Sequence, residues 1–248
     1  MDYPVFKEEM KSSYTILIPD MLPIHFKLII NILKKYGYHV ELLQTSTRAV
    51  VDEGLKNVHN DTCYPALLVI GQFINALKSG KYDVSRTALM LTQTGGGCRA
   101  SNYIHLLRKA LKKEFPQVPV ISLNLSGLEK GSGLSLTLPL LIKVVYAVFY
   151  GDLLMSLYNQ CKPYEIHSGE SESVREKWQE KLTTIFDKRE FIKCKKYCRM
   201  ILEDFDKIER TKEKKIRVGI VGEIYVKYSP LANNHLEEFL LSEGCEPI

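Results

Sequence analysis

Several chemistries are missing from this chain of 248 residues. It contains no G-x-x-x-x-G-K-[ST] loop, no H-E-x-x-H pair and no G-x-S-x-G elbow. That removes the P-loop ATPases, the HExxH zinc hydrolases and the α/β-hydrolase esterases as sequence-level readings. Neither C-x-x-C nor a doubled C-x-x-C is present, so a ribbon-type zinc site is not encoded. The first ten residues carry Asp2, Lys7, Glu8 and Glu9 and have no apolar core, unlike a secretory signal. No run of 18 apolar residues occurs; in the most apolar stretch, 131–158, Pro139, Lys143, Gly151 and Asp152 interrupt it. A buried core helix, and no membrane span, is the expectation there. Internal repeats and low-complexity segments are also lacking.

What remains is an ordinary globular composition, 45% apolar and 25% charged, in a chain long enough to bury one sizeable core. Six cysteines without a secretory signal point to a reducing compartment, and a cytoplasmic location is expected. The net charge of +5 raises nucleic acid as a partner, but residues 170–217 alone carry 15 basic and 11 acidic residues of alternating sign. That pattern is a solvated helix face, and no basic motif interleaved with aromatics accompanies it, so no nucleic-acid binding is expected.

Hydrophobic periodicity organises the chain. Residues 14–19 read as a buried strand, 23–36 as a helix stopped by Gly37, and 38–43 as a second strand. Residues 45–60 are polar, with a short helix expected at 50–58. Pro65 suits the first turn of a helix that runs to Ser79-Gly80, with Asp61 or Thr62 as its cap. A third strand at 87–92, a helix at 101–115 and a fourth strand at 118–123 follow. Strands alternating with helices predict an α/β fold with a mostly parallel sheet and flanking helices, a three-layer arrangement of the flavodoxin or Rossmann kind. After Gly127 the pattern turns helical, at 134–158 and 173–209. A charged linker at 210–215 leads to an apolar strand at 216–226 and a helix at 233–241. The expected organisation is a cysteine-bearing α/β domain at 1–128, a helical segment at 129–215, and the truncated start of a second α/β domain at 216–248. A lone strand–helix pair cannot bury both faces of a sheet. The last segment is therefore expected to complete the first sheet, to pack on the helices, or to continue past residue 248.

Two cysteines stand where a loop enters a predicted helix. Cys63 lies in Asn60-Asp61-Thr62-Cys63-Tyr64-Pro65-Ala66, and Cys98 in Gln93-Thr94-Gly95-Gly96-Gly97-Cys98-Arg99-Ala100-Ser101-Asn102-Tyr103. Unpaired N–H groups and the positive dipole end at a helix start favour thiolate over thiol. Two thiolates on one rim of a parallel sheet suit a soft metal or an iron–sulfur cluster. The plainer reading is that both are small buried apolar residues. Gly95, Gly96 and Gly97 let the backbone pass close to a bulky inorganic or phosphate-bearing ligand, which Arg99 would neutralise. Residues 95–100 also fit G-x-G-x-x-A, so a nucleotide-binding enzyme is a rival. The next strand, however, ends in Leu123-Asn124, without the acid a ribose requires. Cys194 and Cys198 share a helical face among Lys193, Lys195 and Lys196, and read as packing. His25 reads as a hydrogen-bonded structural residue, and Asn124, Ser126, Glu129, Glu223 and Tyr225 receive no catalytic role.

The two cysteine words resemble those of the 2-hydroxyacyl-CoA (2-hydroxyglutaryl-CoA) dehydratase D-component-like family, in the form found in proteins related to CoA-substrate-specific enzyme activases. Other matching words are Ile16-Leu17-Ile18-Pro19, Pro23-Ile24-His25-Phe26, Ser122-Leu123-Asn124-Leu125-Ser126-Gly127-Leu128-Glu129, Tyr150-Gly151-Asp152-Leu153-Leu154 and Val221-Gly222-Glu223-Ile224-Tyr225-Val226-Lys227. The resemblance runs from near residue 14 to the end. It implies that Cys63 and Cys98 ligate an iron–sulfur cluster, [4Fe–4S] or larger. It further implies that an ATP-dependent activator, domain or protein, delivers low-potential electrons, and that a second cluster-bearing subunit is the partner. The expected system is an anaerobic dehydratase of 2-hydroxyacyl-CoA, with acyl-CoA as substrate, or a double-cubane-type reductase. The family's third cysteine word lies in the second α/β domain, and Cys245 does not match it, so this piece alone is expected to be inactive. The alternative is a non-catalytic scaffold or partner-binding domain of a larger activase-related protein.

Overall fold

The computed structural model describes residues 3–59, 61–93, 102–124, 134 and 137–248. The chain forms two compact units, residues 1–20 with 36–135 and residues 21–35 with 136–248. This division differs from the expected boundaries in the placement of the first helix and of residues 216–248, both of which belong to the second unit.

The first unit is α/β. Strands β1 (Thr15–Pro19), β2 (His39–Leu43), β3 (Thr87–Gln93) and β4 (Val120–Asn124) form one sheet in the order β2-β1-β3-β4, all parallel. Ile16, Leu17, Ala88, Leu89, Met90 and Ile121 are fully enclosed, as expected of a parallel sheet covered on its faces. The order reverses between β1 and β3. Such a switch point leaves a crevice at the carboxyl ends of the strands.

Between β2 and β3 stand two helices, α2 (Arg48–Asn57) and α3 (Tyr64–Lys78). They meet through glycine. A Cβ on Gly71 would lie 2.1 Å from the Val50 carbonyl oxygen, and one on Gly54 would lie 2.4 Å from that of Leu67. The helix backbones therefore touch, and α3 is buried along almost its whole length from Pro65 to Leu77. The helix α4 (Tyr103–Glu114) buries Ile104, Leu107, Ala110 and Leu111 and turns Lys109, Lys112 and Lys113 to solvent.

The second unit is mainly helical. The helix α1 (Pro23–Lys35), which connects β1 to β2 in the chain, packs with α5 (Leu138–Cys161) and α6 (Glu170–Asp187), and α7 (Cys194–Asp206) closes on α5 and α6. Trp178 is fully buried and its indole N–H donates to Asp204 at 3.1 Å. Lys207 and Lys177 hold the Asp204 carboxyl down at about 2. Tyr150, Phe186 and Phe191 form an edge-to-face and stacked aromatic cluster.

Helix α5 is not the buried core helix the composition led us to expect. It buries Leu140, Ala147, Tyr150, Gly151, Leu154 and Cys161, while Leu138, Ile142, Val145, Val148 and Phe149 stay exposed. Leu138–Tyr164 is long and apolar enough by composition to cross a membrane, and 28% of its most apolar window is buried.

The expected strand at 216–226 is mostly absent. Only Arg217–Val218 is extended (β5), paired in parallel with Glu246–Pro247 (β6). Gly222, at φ 153°, breaks the strand, and the Glu223 carboxylate accepts the amides of Tyr225 and Val226. That cap starts a short helix instead, α8 (Ile224–Tyr228), followed by α9 (Pro230–Asn233) and α10 (Leu236–Ser242). Glu223 thus has a local structural task.

Candidate functional site

Cys63 is the residue that starts α3. Its backbone is extended (φ −63°, ψ 146°) and its carbonyl accepts from the amides of Ala66 and Leu67. Pro65, with its preset φ and missing N–H, follows in the first turn. The cap position falls on Cys63 itself, without a side-chain capping bond, and not on Asp61 or Thr62 as expected. The thiol is partly exposed, and its sulfur lies 2.9 Å from the Tyr103 hydroxyl.

Tyr103 opens α4, five residues past Cys98. Five residues of chain span at most about 17 Å. The fold therefore brings the start of α4 to Cys63. Cys98 itself, Gly95, Gly96, Gly97 and Arg99 lie outside the described residues, as do Ser126 and Glu129. The expected placement of Cys63 on a strand-to-helix loop needs correction. It sits on the turn between α2 and α3, because the polar segment after β2 folds as a complete helix first.

One residue at the switch point escaped the sequence reading. Asp20 directly follows β1, is 7% exposed, and donates its backbone N–H to the Leu43 carbonyl at the end of β2. Burial pushes its carboxyl up to about 6, against a hydrogen bond from Gln44. A lone acid straight after the buried run Ile16-Leu17-Ile18-Pro19 was the available signal.

In the second unit, His25 is 2% exposed near the start of α1. Its Nε2 lies 2.9 Å from Asp152 Oδ1 on α5. Gly151 makes that approach possible, since a Cβ there would lie 2.4 Å from His25 Cδ2. Two segments far apart in the chain, Pro23-Ile24-His25-Phe26 and Tyr150-Gly151-Asp152, thus meet at one imidazole. The Asp152 partnership was not foreseen.

Cys194 and Cys198 are partly buried on α7, where Cys194 Sγ lies 3.7 Å from the Phe191 carbonyl and burial pushes the Cys198 thiol up. Among the described residues, no group of three or more His, Cys, Asp or Glu side chains is arranged to hold a metal ion.

Fold and site together define a parallel α/β unit with a cysteine at the start of α3 that contacts the start of α4. Compared with known proteins, the chain matches no family model, no curated protein and no solved structure.

Proposed function

We propose that this chain is an iron–sulfur half-site module of the 2-hydroxyacyl-CoA dehydratase-like or double-cubane-type systems, working in a reducing cytoplasm. The observation that supports the reading is the contact of Cys63 with Tyr103, which joins the start of α3 to the start of α4, five residues beyond Cys98 in the chain. A helix start supplies free amides and a positive dipole end to an anionic ligand. The donor set fits in part. Cys63 is a partly exposed thiol at such a start and Cys98 would be the second, while a [4Fe–4S] cluster takes four thiolates. The remaining ligands then come from a second cluster-bearing subunit or domain. A cluster held there would accept low-potential electrons from an ATP-dependent activator and supply them to an acyl-CoA substrate. The chain's own contribution is to hold the thiolates and to place Asp20, an acid with a pKa of about 6, on the carboxyl edge of the sheet.

Anaerobic reconstitution followed by iron and sulfide analysis tests the proposal. Bound iron and sulfide with visible absorbance are expected in the wild type and are lost in both Cys63→Ala and Cys98→Ala. Iron retained in both variants, or none in the wild type together with its partner subunit, contradicts it. A second reading, a non-catalytic scaffold domain, follows from Cys245 not matching the resembled family's third cysteine word. It predicts a stable complex with a cluster-bearing partner that survives both substitutions.

A further inference from the structure

Helix α5 leaves a stripe of apolar side chains in solvent. Leu138, Ile142, Val145 and Phe149 recur at spacings of four, three and four residues, which puts them on one helical face over about three turns. Leu138 is 73% exposed and Val145 63%, whereas Leu140, Ala147, Tyr150 and Leu154 on the opposite side are enclosed. That opposite side is tied to the second unit. Gly151 lies against the His25 ring, and the Tyr150 hydroxyl donates to the Phe191 carbonyl at 2.9 Å. The stripe ends at Asp152, which is bonded to His25.

A strongly basic segment borders this stripe. Tyr146 neighbours Ile142 and Phe149 on the helix surface, and its ring packs edge-to-face on Phe191 with centroids 5.1 Å apart. Ile192, the next residue, is 61% exposed and leads into α7. From Lys188 to Arg199 the chain carries six cations and one acid, Glu190. Lys188, Arg189, Lys193, Lys195, Lys196 and Arg199 are all exposed. Among the described residues only Lys193 of the six is in an ion pair, with Glu190 at 2.8 Å. Two neighbouring acids are likewise engaged, Asp152 with His25 and Asp187 with Lys35 at 3.0 Å. Lys143 lines the same recess as Asp187, off the stripe. Glu203, one turn past Arg199 on α7, is exposed and offsets one of the cations. The balance of the border stays clearly positive.

We propose that α5 and residues 188–199 form a docking surface for an anionic lipid bilayer. Helix α5 lies along the membrane, its apolar stripe entering the boundary between headgroups and acyl chains and the cations meeting lipid phosphates. Charge complementarity and the stripe together select this occupant. A nucleic acid would engage the cations and leave the apolar side chains in water. A second copy would cover the stripe but bring from this patch only Glu203 to meet the cations. The packing of the opposite side of α5 on the second unit suits a helix that lies on a membrane and does not cross it. The surface involves neither Cys63 nor Cys98, so failure of the cluster reading leaves this one untouched, and the converse also holds.

The test is flotation of the full chain with two kinds of vesicle, phosphatidylcholine alone and equimolar phosphatidylcholine and phosphatidylglycerol. Binding to the mixed vesicles that weakens with added salt is expected, and none to the neutral ones. Two double variants report on the two halves of the surface, each at exposed positions, so that both are expected to keep the wild-type Tm. Leu138→Gln with Val145→Gln is expected to weaken binding about tenfold by removing apolar contact. Lys195→Gln with Lys196→Gln is expected to weaken it about fivefold per cation removed. No binding to the mixed vesicles, equal binding to the neutral ones, or full affinity in the apolar variant overturns the proposal. A dimer seen by light scattering without vesicles, and dissociated by the apolar variant, also overturns it and gives the stripe to a second copy.

Discussion

At the scale of single residues, Asp20 has the most readable thermodynamic signature. Its carboxyl is displaced upward by burial, from the usual 3.8 to about 6. The folded state therefore binds the proton more tightly than the unfolded chain. The associated stability is fully present below about pH 4 and is lost as pH rises through about 6. A shift of this size is worth on the order of 3 kcal/mol, so Asp20→Asn should raise the stability measured by urea unfolding at pH 7.5 and leave it nearly unchanged at pH 4. A destabilised variant at pH 7.5 would mean that the ionised form is held by stronger partners than burial opposes. Single residues are also where sequence reading reached least far. Cys63 could be singled out because the words around it are distinctive, and its place at a helix start matches the expectation. Asp20 and Asp152 were not, since the burial of one and the His25 contact of the other depend on elements distant in the chain. Cys63 at the cap position illustrates the same limit: the competition among Asp61, Thr62 and Cys63 is decided by how α3 enters against α2.

At the scale of elements, periodicity did well wherever an apolar face was long. The strands β1 to β4 and the helices α1, α3 and α4 fall close to their expected bounds, because each pairs a buried apolar run with a Gly, Pro or polar stop. The errors share a cause. Residues 216–226 are apolar enough for a strand, but Gly222 and the Glu223 cap convert most of them to loop and helix. Helix α5 is apolar all round, so its pattern could not tell which face is enclosed. The α2–α3 contact is likewise invisible in one sequence, for two glycines 17 residues apart show no sign of touching. It is nevertheless strict. In Gly71→Ala the methyl would press on the Val50 carbonyl and the Gly54 backbone, which have no flexible end to give. A loss of about 3 kcal/mol is expected by chemical denaturation, from overpacking between backbones. A neutral outcome would show that α2 can slide on α3, and would weaken the case that Cys63, just before α3, is held in a fixed place.

At the scale of the whole molecule, the α/β class and the parallel order of the sheet were legible from alternation alone, because crossover connections leave few alternatives. The grouping of α1 with the helical unit was not, since the chain leaves the sheet after β1 and comes back for β2. The proposed cluster chemistry requires Cys63, at the start of α3, and Cys98 to present two thiols side by side, and this is the central claim. It is tested most directly by a short dithiol crosslinker, dibromobimane, on the chain with Cys161, Cys194, Cys198 and Cys245 replaced by serine or alanine. The account predicts one fluorescent bridge between Cys63 and Cys98 under anaerobic reducing conditions, seen as a single crosslinked peptide pair by mass spectrometry and abolished in Cys63→Ala. Two separately alkylated thiols with no bridge would contradict it.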